Sequence, residues 1–279
     1  MRPAVLRRLL ADPRSAAGCA LLGFVVLAAV LGPSLWPPSA ERPDFAAVLD
    51  GPGLAHPLGT DDLGRDVLAR ILKGGQVSLL VALGSVAGAC ALGTPIGLVC
   101  GVLGGWTDRV LMRCMDVLLA FPGILLALGV TAALGASAVN AALAIAAVNL
   151  PVFARLARAQ ARIVAATDYV EAARATGLGT VGILRRHVAP NALAPVLVQA
   201  TLLLASSILT ESYLSFLGLG VQPPTPTWGN MLRDATGFLD QLVWLACFPG
   251  AAIFATVLGF NLLGDGLRDR LDPRDATSL

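Results

Sequence analysis

The stretch TDYVEAARATGLGTVGILRRHVAPN, residues Thr167–Asn191, is polar and rich in arginine, although it lies between two long apolar runs. Asp168 and Glu171 have the spacing of an N-cap residue and its N3 partner in a capping box. Gly177 is well placed to end the same helix as a left-handed residue, which leaves about two helical turns between the caps. The sequence therefore predicts a short, capped helix that stands out in water.

A second helical turn is predicted over residues 183–188, and Pro190 is expected to end it. A helix as short as the first is marginal in water unless another surface packs on it. Tyr169 and Val170 offer apolar surface for such a contact, and the alanines that follow keep the helix slim. The pattern alone fits either an amphipathic loop lying on the bilayer or a docking helix for a cytosolic protein.

The composition of the whole chain is that of a membrane protein. Of its 279 residues, 56% are hydrophobic and only 14% are charged, whereas a soluble domain is about a quarter charged. Helices are expected because an open strand in lipid would leave backbone groups unpaired. Six stretches come close to the roughly 20 apolar residues that span a bilayer. They are Ala16–Leu35, Val77–Leu103, Met115–Leu134, Ala138–Phe153, Leu193–Leu217 and Leu242–Leu263.

The basic residues indicate how these spans are oriented. With a cytoplasmic N-terminus, the inside holds fifteen of the twenty: four before the first span, two in the second loop, six in the fourth and three at the C-terminus. This positive-inside bias places both termini in the cytoplasm. The first apolar run is long for a signal peptide and no Ala-x-Ala site follows it, so we expect an uncleaved anchor.

The expected organisation is an all-α membrane protein with six transmembrane helices. Its parts are a cytoplasmic N-terminal segment (1–15), a first transmembrane helix (16–35), an extracytoplasmic segment (36–76), a five-helix core (77–264) with a cytoplasmic loop at 155–192, and a cytoplasmic tail (265–279).

Small residues recur every fourth position along the second span, at Ala89, Gly93, Gly97, Gly101 and Gly105. This spacing places them on one face of a helix. Small residues on such a face let another transmembrane helix approach closely, where packing replaces the missing hydrophobic driving force. We interpret the stripe as a packing face, although the pattern does not identify its partner.

The fifth span is the most polar, and Ser207, Glu211 and Ser215 share one face of it because they are four residues apart. An acid at membrane depth is costly and is usually found facing a polar interior or a solute path. Three interpretations are open: a translocation path, a structural carboxylate paired to a neighbouring helix, or a carboxylate close enough to the outer interface to be hydrated.

The chain shows no pattern for catalysis or for a bound cofactor. Its two histidines, His56 and His187, are too far apart to suggest a metal centre. The only lysine, Lys73, precedes a glycine, so the Gly-Lys-Ser/Thr of a phosphate-binding loop is missing. The five cysteines form no Cys-x-x-Cys pair, and the charges give no indication of nucleic-acid binding. We therefore expect that the chain is not an enzyme by itself, and that any ATP-driven step would need a separate polypeptide.

The opening stretch resembles the EAA loop of ABC-importer permeases, whose pattern is Glu-Ala-Ala, three residues, Gly, nine residues, then Ile-x-Leu-Pro. His187 and Ala189 depart from the Ile and Leu of that pattern, and the His is similar to the peptide-permease branch. The positions that match are Glu171, Ala172, Ala173, Gly177 and Pro190.

Three further stretches resemble the C-type permease of dipeptide, oligopeptide and nickel importers, so the resemblance covers most of the chain. They are HPLGTDDLGRDVLARILKGGQVSL (His56–Leu79), SYLSFLGLGVQPPTPTWGNML (Ser212–Leu232) and FNLLGDGLRDRLDP (Phe260–Pro273). The resemblance implies the type I ABC-importer permease fold in the bacterial inner membrane. It also implies that the loop forms a coupling helix in a groove of an ATPase subunit, with Asp168, Tyr169, Glu171, Ala172, Ala173, Gly177 and Pro190 as its coupling residues.

The same resemblance implies the partners. These are a homologous second permease, one or two cytosolic ATPases that bind ATP and Mg, an extracytoplasmic substrate-binding protein, and the membrane lipid. Peptides are the expected substrates, since no metal-ligand cluster is present; nickel or another small solute is the alternative. A proton-coupled transporter that uses Glu211 as a relay, and a non-transporting membrane scaffold, are rival interpretations.

Overall fold

The computed structural model describes residues 12–271. The first eleven residues of the expected cytoplasmic N-terminal segment, and residues 272–279 of the expected tail, lie outside the described residues. Within the described range every regular element is helical. The helices are α1 (Pro13–Leu35), α2 (Val67–Leu103), α3 (Gly105–Leu119), α4 (Gly123–Leu134), α5 (Ala138–Ala165), α6 (Asp168–Ala175), α7 (Thr180–Ile183), α8 (Ala189–Phe216), α9 (Trp228–Ala235) and α10 (Trp244–Leu271), with a π-helical turn at Leu184–Val188 and a 3₁₀ turn at Thr236–Phe238.

Five of the described helical segments are long and apolar enough to cross a membrane, and a bent pair brings the number to six if it counts as one span. The five are built on α1, α2, α5, the continuous run Thr180–Phe216 and α10. The predicted all-α membrane fold is therefore confirmed.

The third predicted span, Met115–Leu134, is wrong as a single helix. Helices α3 and α4 are bent by 90° at a break between them, and Pro122 is the N-cap of α4. Proline disfavours helical backbone at the residue before it, here Phe121, and has no N–H to continue the hydrogen-bond ladder. The chain therefore turns at Phe-Pro-Gly, and α3 becomes an amphipathic helix at one end of the bundle.

Several helix ends lie together at one end of the bundle, which we call the coupling end. Ser15, in the first turn of α1, lies against Gly266 near the end of α10. Leu267 of α10 packs with Val198 of α8. The loop that carries α6 joins α5 to α8, and both of these helices meet it at this same end. Both ends of the described chain thus share a side with the polar loop, as the orientation inferred from the arginines requires.

The packing partner of the glycine stripe is α5. A Cβ added to Gly93 would come within 2.5 Å of the Leu150 carbonyl oxygen, and one added to Gly97 would come within 2.1 Å of the Ala154 oxygen. At Gly101 it would meet the Ala161 Cβ at 2.5 Å. The backbones of α2 and α5 therefore approach too closely for any side chain at these positions, which makes this pair the centre of the bundle.

Candidate coupling surface and polar interior

The short helix α6 begins one residue earlier than the capping pattern predicts. Its N-cap is Thr167, so Asp168 is the first helical residue and makes no side-chain cap. The Thr167 hydroxyl instead donates to the Val164 carbonyl oxygen at 2.6 Å, which joins the end of α5 to the start of α6. Asp168 and Glu171 both lie in the first turn, where negative charge is favoured by the helix dipole.

The C-terminus of α6 ends in a Schellman motif at Gly177, whose φ is +87°. The Gly177 N–H donates to the Arg174 carbonyl at 2.9 Å, and the Leu178 N–H donates to the Ala173 carbonyl at 3.2 Å. This is the paired hydrogen bonding of a left-handed C′ residue. A Cβ at Gly177 would meet no atom within 4 Å, so the glycine is required by its backbone conformation and not by crowding.

Val170 anchors α6 to the rest of the chain. It is fully buried in a core cluster with Ile183, Val188, Val164 and Ala192, and the last two belong to the ends of α5 and α8. This differs from the sequence interpretation, in which Val170 offers surface to a partner. Its side chain instead fixes the orientation of α6, so that the opposite face of the helix points away from the bundle.

Tyr169 is half exposed and also makes contacts within the chain. Its ring lies 6.1 Å from the His187 ring, centroid to centroid, at an angle of 53°. Its hydroxyl oxygen accepts from the Asn191 amide at 3.2 Å, and that amide also donates to the His187 carbonyl oxygen. His187, which departs from the EAA pattern, thus stands where its ring supports Tyr169.

The surface that α6 presents to water is formed by short or charged side chains. Ala173 is half-buried. Apart from Tyr169, the exposed positions of α6 and of the two residues after it are Asp168, Glu171, Ala172, Arg174, Ala175, Thr176 and Gly177. We call these seven residues the coupling surface.

Pro190 does not end a helix, as the sequence analysis expects. It lies in the first turn of α8, and the chain is helical without interruption from Thr180 to Phe216. The turn before it, Leu184–Val188, is π-helical, and the Ala189 N–H donates to the Leu184 carbonyl oxygen. The wider π turn makes room at the point where a proline ring would clash with the carbonyl of an α-helix. The coupling loop is thereby joined directly to a membrane-spanning helix.

Ion pairs that sequence reasoning missed tie α3 to the coupling end of α5. The Asp108 carboxylate accepts from the Arg158 guanidinium at 2.6 Å and from the Arg162 guanidinium at 2.7 Å. Asp108 is only 7% exposed. A second pair, Arg155 with Asp116, is exposed on both sides. No local spacing signals these pairs, because the partners are between 39 and 54 residues apart in the chain.

The predicted polar face of the fifth span points into the protein. Ser207, Glu211 and Ser215 are all buried to within 1%. Asn149 of α5 donates to the Ser207 hydroxyl at 2.9 Å, and the Ser215 hydroxyl donates to Glu211 Oε1 at 2.7 Å. These three side chains therefore do not lie on an exposed surface of the bundle. The exposed polar residues of the same helix lie on a neighbouring face, at Ser206 and Tyr213, with Thr210 half-buried between them.

At the opposite end of the bundle, the segment between α1 and α2 is held by Asp66, the N-cap of α2. Its carboxylate accepts from the Trp36 indole at 3.0 Å and from the Ala69 N–H at 2.7 Å, and it contacts His56 Nδ1 at 2.8 Å. Partial burial and the neighbouring Asp61 raise the pKa of the Asp62 carboxyl at the same turn. The first part of the His56–Leu79 stretch, up to Asp66, thus forms a structural turn that leads into α2, and the rest of the stretch is the start of α2.

Residues 93–275 match the family described as the binding-protein-dependent transport system inner membrane component. This match covers more than half of the chain. The chain belongs to this family. It is a multi-pass permease of the bacterial inner membrane, and the resemblance inferred from the EAA stretch is confirmed.

The permease is also similar to curated proteins along most of its length. It is 44% identical to a dipeptide transport system permease protein of Alkalihalophilus pseudofirmus, over 92% of this chain and 84% of that protein. It is 46% identical to a glutathione transport system permease protein of Pectobacterium atrosepticum, over 83% of this chain and 77% of that protein. A glutathione transport system permease protein of Escherichia coli is 44% identical, over 90% of this chain and 83% of that protein.

Proposed function

We propose that this chain is one of two permease subunits of an ATP-driven importer of small peptides. The observation that carries the proposal is the coupling surface: seven exposed, small or charged residues on a short helix that is rigidly attached to two long helices. Val170 and the Thr167–Val164 hydrogen bond attach it to α5, while the uninterrupted helix from Thr180 to Phe216 connects its far side to the membrane interior.

The partner of this surface would be a cytosolic ATPase that binds ATP and Mg. Glu171 offers a negative charge, Ala172 leaves the helix slim, and Gly177 ends it with no side chain, so the helix fits a groove. Tyr169 and Ala173 lie on the half-buried side of the helix and help to orient it. Pro190 lies in the first turn of α8, where the helical run from the loop continues without a break. The chain itself would carry no catalysis; ATP binding and hydrolysis would move α6, and α8 would move with it.

The second permease would pack against this chain and leave a path between the two subunits. Exposed polar residues of a transmembrane helix are costly in lipid, so we assign Ser206, Thr210 and Tyr213 of α8 to the water-filled path. The predicted path residues Ser207, Glu211 and Ser215 are buried in the bundle interior, so we leave them out of the proposed path. An extracytoplasmic binding protein would deliver the substrate to the outer end of α8.

Peptides are the proposed substrates because the relatives are named as permeases for a dipeptide and for glutathione, which is itself a small peptide. Nickel, the alternative considered from the sequence, has no support in these relatives. A proton-driven mechanism would need Glu211 to exchange protons with a path, and its full burial argues against that.

The test is uptake by the complete complex, purified from its native membrane and reconstituted in vesicles. We expect uptake of a labelled dipeptide or of glutathione that requires ATP on the ATPase side and the binding protein on the other side. Uptake that follows a proton gradient without ATP would overturn the mechanism. Uptake of Ni²⁺ in place of peptides would overturn the substrate assignment alone.

A further inference from the structure

Helix α9 lies across the outer end of the bundle and packs on α2 and α8 with very little space between them. A Cβ at Gly75 of α2 would come within 2.8 Å of the Trp228 ring, and one at Gly229 of α9 would come within 2.4 Å of the Ser212 carbonyl oxygen. The Trp228 indole N–H donates to the Ile71 carbonyl oxygen at 3.1 Å. The helix also carries its own capping box between Thr227 and Asn230.

Beneath the start of α9 lies the Glu211 carboxyl group. It is 0% exposed, and the buried hydroxyls of Ser78 on α2 and Thr227 at the start of α9 lie beside it. The Ser78 hydroxyl also accepts from the Trp228 backbone N–H at 3.4 Å. One carboxyl group on α8 is therefore surrounded by polar groups from α2, α8 and α9.

The charge state of this carboxyl group follows from what surrounds it. Among the described residues, no ion pair involves Glu211. Its Oε1 accepts from Ser215, but its Oε2 has no hydrogen-bond partner although it is fully buried. A bare negative charge in such a place costs several kcal/mol. A neutral carboxylic acid instead has a donor, which a small rotation of the Ser78 or Thr227 hydroxyl would satisfy.

We infer that Glu211 is a positioning residue whose uncharged carboxyl group ties α9 to the outer ends of α8 and α2, so that these three move as one body. This inference rests on the proposed function, because a mechanical role for this contact requires that α6 is moved during transport. The helix that carries Glu211 runs unbroken from the coupling loop at Thr180 to Phe216, about 55 Å at 1.5 Å per residue. A displacement of α6 by an ATPase would therefore be carried along this helix to the outer mouth, where the carboxyl group adds to the close packing of α9 on α2 and α8.

The first test compares E211Q with E211A in the complete complex. Glutamine keeps the shape of the neutral acid and can donate and accept a hydrogen bond, whereas alanine removes both polar atoms of the carboxyl group. We expect E211Q to retain peptide uptake within about twofold of the parent, and E211A to lose most of its uptake per ATP hydrolysed. L197A, at an exposed position of the same helix that lies outside the proposed path, is the control. The parent and the control must both take up peptide. If neither does, the proposed function has failed, and this result is distinct from a loss of uptake in E211A alone.

The second test does not depend on transport. Hydrogen–deuterium exchange of the α9 amides is measured in the same complexes, and we expect E211A to accelerate it by about tenfold or more while E211Q leaves it near the parent value. S78A, which removes one hydroxyl beside the carboxyl group, guards against a folding failure of E211A and should also accelerate exchange in α9. The control T225V changes a hydroxyl in the same loop that lies outside the cluster.

Two results would overturn the inference. If E211Q is as defective as E211A while Glu211→Asp is active, the group works as an ionised carboxylate, and the neutral tie is wrong. If E211A and S78A both leave exchange in α9 unchanged, the carboxyl group does not hold this helix. Changed exchange with unchanged uptake would show that the tie exists but that transport does not use it, which refutes the mechanical role.

Discussion

At the scale of single residues, two positions in the loop between α5 and α8 determine the orientation of the coupling surface. Gly177 permits the left-handed turn that ends α6, and Val170 buries the opposite face of the same helix. Neither needs to touch a partner in order to matter for coupling. Their substitutions should therefore affect stability and orientation before they affect any contact.

Replacing Gly177 with alanine should lower the free energy of unfolding by about 1–2 kcal/mol, because an L side chain is disfavoured in the left-handed region. G177N should cost less, since asparagine tolerates that conformation. The measurement is thermal unfolding of the detergent-purified chain. Gly179 is the matched control: its surroundings are as open, but its φ is −68°. Equal losses for G177A and G179A would contradict the explanation.

Shortening Val170 to alanine should destabilise the chain by roughly 1–3 kcal/mol, because it leaves a cavity in a buried cluster. Val181, which is exposed and lies further along the same loop in the next helix, provides the comparison. V181A is expected to fall within about 0.5 kcal/mol of the parent in the same assay. A neutral V170A would mean that α6 is not anchored where the structure places it.

At the scale of elements, the pair α2–α5 depends on the absence of side chains at its crossing. G97A should be strongly destabilising, since the new methyl would meet the Ala154 carbonyl oxygen, which belongs to the backbone and cannot rotate away. On the same helix, Gly84 faces open space, so G84A should be neutral or stabilising by up to about 1 kcal/mol. The yield of monodisperse protein and its unfolding temperature separate the two; similar behaviour would refute close packing at Gly97.

The link between α3 and α5 should depend on the Asp108 pairs far more than on the Arg155–Asp116 pair. Asp108 is buried and faces two arginines, so D108A leaves both without their partner. Asp116 and Arg155 are solvent-exposed, and exposed ion pairs contribute about 0–1 kcal/mol. We expect D108A to lower the unfolding temperature clearly and D116A to leave it almost unchanged. The reverse order would show that α3 is held by other contacts.

Elements also show how far sequence reasoning reaches. Hydropathy identifies the long helices because a helix in lipid needs apolar residues along its whole length. The glycine spacing predicts a packing face because the position of a residue on a helix depends only on local geometry. The bend between α3 and α4 was missed because an average over Met115–Leu134 hides the single dipeptide Phe121–Pro122. The burial of Val170 and the surroundings of Glu211 depend on residues that are distant in the chain, so no local sequence pattern could reveal them.

At the scale of the whole molecule, the proposed coupling surface on α6 and the proposed path are linked by one continuous helix, which runs from Thr180 to Phe216 and packs against α9 near its far end. The surface at one end is polar and slim, the helix between is apolar, and a buried carboxyl group holds the other end. Changes at the coupling surface should therefore stop transport without disturbing insertion of the bundle.

Reversing the charge of Glu171 or adding an acid at Gly177 should lower peptide uptake while membrane insertion is retained, since Glu171 and Gly177 are exposed on the coupling surface. R185A, an exposed change outside that surface, is the control. Uptake and the amount of inserted protein are measured in the same cells. Normal uptake in both E171R and G177D would contradict the assignment of this surface.

The most direct measurement is a mild-detergent purification of the tagged chain from its native membrane, with the co-purifying proteins identified by mass spectrometry. We expect a second, homologous permease and one or two ATPases to co-purify with the parent chain, and only the ATPases to be lost with E171R. Recovery of the folded parent chain by itself, repeatedly, would contradict it and would return attention to a mechanism without an ATPase.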